Sequence, residues 1–185
     1  MGNRNGGLDG TQRKEEKEGI KLSEIVLRVL ALLLTLIAAI LLGLNKQTKI
    51  VPIKISPDLP AFDVPVSAKT SYVSAFVYFV VANSIACAFA AVTLALALSG
   101  KGIIRLMIII VDLMMVALLF SSIGAAGAVG LIGSNGNSHL RWNKVCNVYA
   151  KFCHQVTASL ALSLLAAIAF LFLVILTASK LHKTP

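Results

Sequence analysis

Charge is scarce in this chain. Asp, Glu, Lys and Arg together make up 14% of its 185 residues, where a soluble domain carries about a quarter. With 57% hydrophobic residues and a mean hydropathy of +0.86, an ordinary water-soluble fold is excluded. Recognisable catalytic patterns are missing as well. The sequence holds no Walker loop, no H-E-x-x-H and no G-x-S-x-G, which removes the phosphate cradle, the helical zinc pair and the nucleophile elbow. It has no C-x-x-C redox pair. His139, His154 and His182 lie in loops or at span ends, so the paired in-helix histidines that haem ligation needs are absent. No N-x-Ser/Thr acceptor occurs. The expectation is a protein without catalytic residues, cofactor or metal.

What the chain does have is four long apolar runs. They cover about 22–44, 72–98, 102–130 and 155–179, and each exceeds the ~20 residues needed to cross a bilayer core. A lone segment in hydrocarbon must satisfy its backbone polar groups internally, and these runs are too long and uniform for barrel strands, so each is expected to be a helix. The spans leave no room for a second folded domain. Residues 1–21 are polar and rich in Gly, Lys and Glu; they are expected to form a disordered cytosolic tail, with 181–185 as a second short tail. The first run is too long for a signal-peptide core and no small-residue cleavage pattern follows it, so it reads as a retained span. Gly6 stands where a myristoylation signal needs Ser or Thr. The formal net charge is +9, but the cations flank the spans, where anionic headgroups are the natural counter-charge. No basic stretch is interleaved with aromatics, so nucleic acid is not an expected partner.

An even number of spans puts both termini on one side, and only a few residues around Ser99-Gly100-Lys101 join the second and third spans, forcing an antiparallel pair. Lys and Arg are slightly more numerous on the terminal side, which by the positive-inside rule makes that side cytosolic. The fold class is therefore an all-α membrane protein, a four-transmembrane-helix bundle with cytosolic N- and C-termini. Cys146 and Cys153, in the second long loop, suit an extracellular disulfide. On one continuous helix they would lie ~10 Å apart along the axis, beyond disulfide reach. Bridging requires a break between them; without one they are two free thiols.

Two charges sit inside the runs: Arg28 in the first and Asp112 in the third. A charge in hydrocarbon costs several kcal/mol and needs a partner, an escape to water, or a function. The two helices run parallel, with a depth mismatch of ~6 Å that an Arg side chain can bridge, so a structural intramembrane pair is one reading. The other has Arg28 snorkelling to the interface beside Glu24, one turn earlier. Asp112 is too short and too deep to snorkel. Gly124, Gly127, Gly130 and Gly133 recur every third residue, and Ala82, Ala86 and Ala90 every fourth. Such stripes suit helix packing, within the bundle or between protomers. Asn83, Ser84 and Cys87 suit interhelical hydrogen bonds.

The layout resembles the plant CASP-like proteins, relatives of the Casparian strip membrane domain proteins. The shared features are an Arg in the first span, an Asp in the third and a short link between spans two and three. The segment Ala75–Asn83 (AFVYFVVAN) resembles the start of that family's second span. Asp112-Leu113, with the Ala- and Gly-rich stretch after it, resembles the third, and Trp142, Cys146, Phe152 and Cys153 resemble the second extracellular loop. The resemblance runs from Leu22 to about Lys180. It implies a fold related to the MARVEL domain over 22–180, multi-pass residence in the plasma membrane, and self-association into homodimers or higher homo-oligomers and hetero-oligomers with related members. The first extracellular loop, Pro57 to Phe62, departs from the acidic-and-aromatic pattern of strip-forming members, so strip building is not carried over. The expected function is a non-enzymatic scaffold that organises membrane domains or recruits cell-wall-modifying proteins, with membrane lipids as further partners. The rival is a small channel or transporter subunit using Asp112 as an ion or proton ligand.

Overall fold

A computed structural model describes residues 5–53, 62–98, 105–136 and 144–182. Four helices dominate: α1 (Asn5–Gly43), α2 (Ser74–Leu98), α3 (Arg105–Asn135) and α4 (Ala150–His182). Each contains a stretch long and apolar enough to cross a membrane, namely Lys21–Gly43, Ser74–Leu96, Leu106–Asn135 and Ala150–Leu181. α1 packs on α2 and α4, and α3 packs on the same two. α1 and α3 therefore occupy opposite corners of the bundle. At 1.5 Å per residue α3 and α4 are about 45–50 Å long, well over the ~30 Å hydrocarbon core, so their ends stand clear of it.

α1 begins at Asn5, so the expected disordered tail over 5–21 is instead a helical extension of the first span. The physical reason is cooperative. Once the span is helical, adding a residue needs only propagation, not nucleation. Residues 11–18 (TQRKEEKE) are mostly strong helix formers. α3 ends where Gly136 adopts φ 70° and its N–H returns to the Ile132 carbonyl at 2.9 Å, a left-handed stop that glycine adopts without strain.

The first long loop holds an element the sequence reading did not anticipate. β1 (Lys46–Ile53) and β2 (Phe62–Lys69) form an antiparallel hairpin, with Lys46 opposite Lys69 and Ile53 opposite Phe62. A two-stranded ribbon alone is marginal, and this one is fastened to the bundle at its base. Asn45 Nδ2 donates to the Phe152 carbonyl at 3.0 Å, Phe152 N–H donates to Gln47 Oε1 at 2.9 Å, and Tyr149 OH donates to the Val66 carbonyl at 3.0 Å. Thr70 Oγ1 donates to the Leu42 carbonyl. Gln47 thus satisfies one of the orphan N–H groups in the first turn of α4. The loop residues Ser99 to Lys101, Arg141, Trp142, His139 and Pro57 to Ala61 fall outside the described residues.

Two apolar clusters fill the interior. One, toward the terminal end, includes Ala31, Ala86, Leu119, Ala166 and Phe170. The other, toward the hairpin end, includes Ala38, Phe79, Ala126, Phe152 and Val156. Between them every helix contributes a fully buried polar side chain: Thr35, Asn83, Ser122 and Ser163. Thr35, Asn83 and Ser122 each donate to a carbonyl three or four residues back on their own helix, the usual way a short polar side chain is satisfied in a span.

Candidate functional site

The buried charges meet in the terminal half of the bundle. Arg28 lies about two turns into the first span and Asp112 a little under two turns into the third, so they sit at nearly equal depth. Arg28 Nη2 is 3.3 Å from Asp112 Oδ2, and Arg28 Nη1 donates to Thr93 Oγ1 at 2.7 Å. Thr93 in turn donates to the Phe89 carbonyl at 3.0 Å. Arg28 is 4% exposed and Asp112 0%. The cluster therefore ties α1 to α2 and, across the diagonal of the bundle, to α3. Asp112 Oδ1 has no partner among the described residues.

Glu24, the rival partner for Arg28, is engaged elsewhere. Its carboxylate pairs with Lys180 Nζ and accepts the Thr177 hydroxyl at 3.2 Å. That clamp joins α1 to α4 at the terminal end. The sequence reading missed Thr93 and the Glu24–Lys180 contact, since neither partner is near in sequence.

At the other end the chain does break between Cys146 and Cys153. Val145–Asn147 forms a single tight turn, and α4 starts at Ala150. This brings the two Cα atoms to 5.7 Å, with the sulfurs bonded. Phe152, beside Cys153, stacks in tilted fashion on Phe76 of α2 with ring centroids 6.0 Å apart, a favourable aromatic geometry. Helix α4 is thereby held to the hairpin, to α2 and to the turn before it.

The two small-residue stripes behave differently. Ala82, Ala86 and Ala90 are 0–1% exposed and line the packing face of α2. The glycines do not form such a face. A Cβ at Gly124, Gly127 or Gly133 would meet nothing within 4 Å, and only at Gly130 would one touch another helix, Val156 Cγ1 at 3.7 Å. Helix-packing roles for Gly124 and Gly127 within the bundle are therefore corrected. A three-residue period advances ~300°, so successive glycines shift ~60° around the helix and the row winds off any one contact face. Gly127, Gly130 and Gly133 instead border a cavity of ≈ 500 Å³ at the hairpin end, with Phe76, Val156 and Leu160 opposite and Lys69 and Tyr72 at its edge. Asn83 and Ser84 also differ from expectation, donating to Phe79 and Val80 of their own helix. Of the three α2 residues read as interhelical donors, Cys87 does reach across, to the Leu32 carbonyl of α1 at 3.8 Å.

Among the residues whose side chains are described, no cluster of His, Cys, Asp or Glu is placed to hold a metal ion. The polar side chains that come together in the interior join helices.

The arrangement can be set beside known proteins. A family model described as the Casparian strip membrane protein domain matches residues 17–169. The chain is 56% identical over 179 residues to CASP-like protein 1E1 of Populus trichocarpa, covering 95% of this chain and 93% of that one. It is 53% identical to CASP-like protein 1E1 of Ricinus communis over 178 residues (95% and 93%) and 49% identical to that of Arabidopsis thaliana over 179 residues (95% and 94%). No solved structure matches. With the family pattern covering most of the chain and plant relatives aligned along nearly its full length, this membrane protein belongs to the CASP-like proteins of the Casparian strip membrane protein domain family.

Proposed function

We propose that this protein is a non-enzymatic scaffold of the plasma membrane. It self-associates into homo- and hetero-oligomers, organises lateral membrane domains and offers its loops to cell-wall-modifying proteins. The observation that carries the reading is the buried Arg28–Thr93–Asp112 cluster. It uses the intramembrane charges to join three helices across the bundle diagonal, so the surface left for work is the apolar outer face of the helices and the hairpin. The cytosolic placement of both termini is part of the proposal, supported by the small Lys/Arg excess on that side and by a disulfide at the opposite end, where an oxidising exterior would keep it.

A fluorescent fusion in plant plasma membrane tests this by photobleaching recovery. Slow recovery is expected for wild type. Faster recovery or intracellular retention is expected for Arg28→Ala and Asp112→Asn. Partial rescue is expected in the charge-swapped double variant, partial because Thr93 must then serve a carboxylate at position 28 instead of a guanidinium. Free diffusion of every version, all delivered to the surface, would overturn the scaffold. Asp112 Oδ1, without a partner among the described residues, supports a second reading, an ion- or proton-conducting subunit. It predicts that purified protein in liposomes carries a flux that Asp112→Asn abolishes without loss of folding.

A further inference from the structure

The cavity at the hairpin end is unusual in what surrounds it. Its walls are Phe76 of α2, Val156 and Leu160 of α4, the glycine-lined side of α3 and the Cys146–Cys153 disulfide. A space of ≈ 500 Å³ falls within the ~300–1,000 Å³ of small-molecule sites. Water is a poor occupant, because a buried water needs two to four polar partners and these walls are almost wholly hydrocarbon. Left empty, the lining atoms would lack contacts on one side. The glycines are the reason the space exists. Side chains at Gly127 and Gly133 would project into open volume, since a Cβ there meets nothing within 4 Å.

The edge of the cavity is cationic. Lys69 lines it, with Nζ 5.5 Å from the centroid of the Tyr72 ring. Lys46 stands directly opposite Lys69 in the hairpin register, and like charges directly across a strand pair repel. Among the residues whose side chains are described, the ion pairs belong to Arg28 and Lys180, so neither Lys46 nor Lys69 has a carboxylate partner there. The acidic residue of the hairpin strands, Asp63, lies opposite Pro52, six positions and so ~20 Å along β2 from Lys69. The Tyr72 phenol is held below its ordinary range, first by the Ser67 hydroxyl and then by Lys69, with Lys46 contributing least. Among the residues whose side chains are described, no carboxylate pairs with the lysines at the base of the hairpin, beside the apolar slot.

We propose that this cavity is a binding site for an anionic acyl-chain lipid: one chain lies in the slot over Gly127, Gly130 and Gly133, and the phosphate is held by Lys69 and Lys46. The lipid supplies both missing groups at once, hydrocarbon for the slot and negative charge for the paired lysines. Lysine ammonium groups beside an apolar slot can give a phosphate charge-assisted hydrogen bonds, here in the leaflet opposite the termini. A sterol would fill the slot but leave the lysines unpaired, and a second copy of this chain would meet the same two lysines with its own.

The test uses the full-length, disulfide-bonded protein in phosphatidylcholine nanodiscs containing a trace of phosphatidylglycerol with a diazirine in its acyl chain. Photolysis and peptide mapping should place adducts on 127–134 and 152–160, well above those on the outer face of α1. The matching phosphatidylcholine probe should label these segments far less. Lys69→Gln and Lys46→Gln should each lower the yield about fivefold, the effect of one cation near an anionic surface. Gly127→Leu and Gly133→Leu, which fill open space, should abolish groove labelling while labelling of α1 persists. Equal labelling by the two headgroups, or groove labelling unchanged in the leucine variants, would overturn the proposal. So would loss of a protomer–protomer crosslink, in place of lipid adducts, when the groove is filled.

Discussion

Asp112→Asn removes the charge that faces Arg28 and leaves the rest of the cluster in place. In the structure Arg28 is 4% exposed, with Thr93 as its other bonded partner. If Arg28–Asp112 acts as an ion pair, breaking it strands a guanidinium in hydrocarbon and costs about 3–5 kcal/mol. The unfolding constant then rises roughly 140-fold to several thousand-fold, at 1.4 kcal/mol per factor of ten. If it acts as one more interhelical hydrogen bond, the loss is about 0.6 kcal/mol, the average measured for such bonds in a membrane protein. The two accounts differ enough to be told apart. Steric trapping in bicelles measures the unfolding free energy directly, and a cycle of Asp112→Leu, Arg28→Met and the double variant isolates the coupling. The double variant should be much closer to wild type than either single, because replacing both charges by apolar groups removes the desolvation penalty with the attraction. A loss below about 1 kcal/mol for Asp112→Asn, or a double variant whose loss equals the sum of the singles, would refute the reasoning.

Three other outcomes follow from the same geometry. Glu24→Gln keeps an acceptor for the Thr177 hydroxyl and loses the pair with Lys180, whose partners are about a fifth exposed; the stability loss by steric trapping should stay below about 1 kcal/mol, several times smaller than that of Asp112→Asn. Cys153→Ser opens a loop with a sequence separation of 7, and chain-entropy reasoning gives a loss of about 2.5 kcal/mol, with wild type under reductant shifting to match and the variant unaffected. The Tyr72 phenol should ionise below the usual ~10 of tyrosine. The difference ultraviolet titration of wild type against Tyr72→Phe reads it, and in Lys69→Gln the midpoint should move up, because the nearby positive charge is lost.

The four spans were legible in the sequence because the demand that makes them helical is local. Each run must satisfy its own backbone in hydrocarbon, so length and composition suffice. The need for a break between Cys146 and Cys153 was legible for a similar reason, since helical rise alone keeps residues seven apart out of bonding distance. The hairpin was harder to see. Its strands do carry β-branched residues such as Ile50, Val51 and Val66, but the pairing of Lys46 with Lys69 depends on where α1 ends and α2 begins, and on Tyr149 and Gln47 bonding across to it. The partner of Glu24 was hidden in the same way. Arg28 one turn on was the local choice, whereas helix rotation turned Arg28 inward and brought Lys180, at the far end of the chain, to the carboxylate. Likewise the glycine period could be read but not its use, because whether a small residue closes a contact or opens a slot depends on what lies opposite. The sequence alone thus determined that this chain crosses a membrane four times and must manage two buried charges. Only the tertiary structure decided which side chains meet, because helix rotation and register are set by packing between segments distant in sequence.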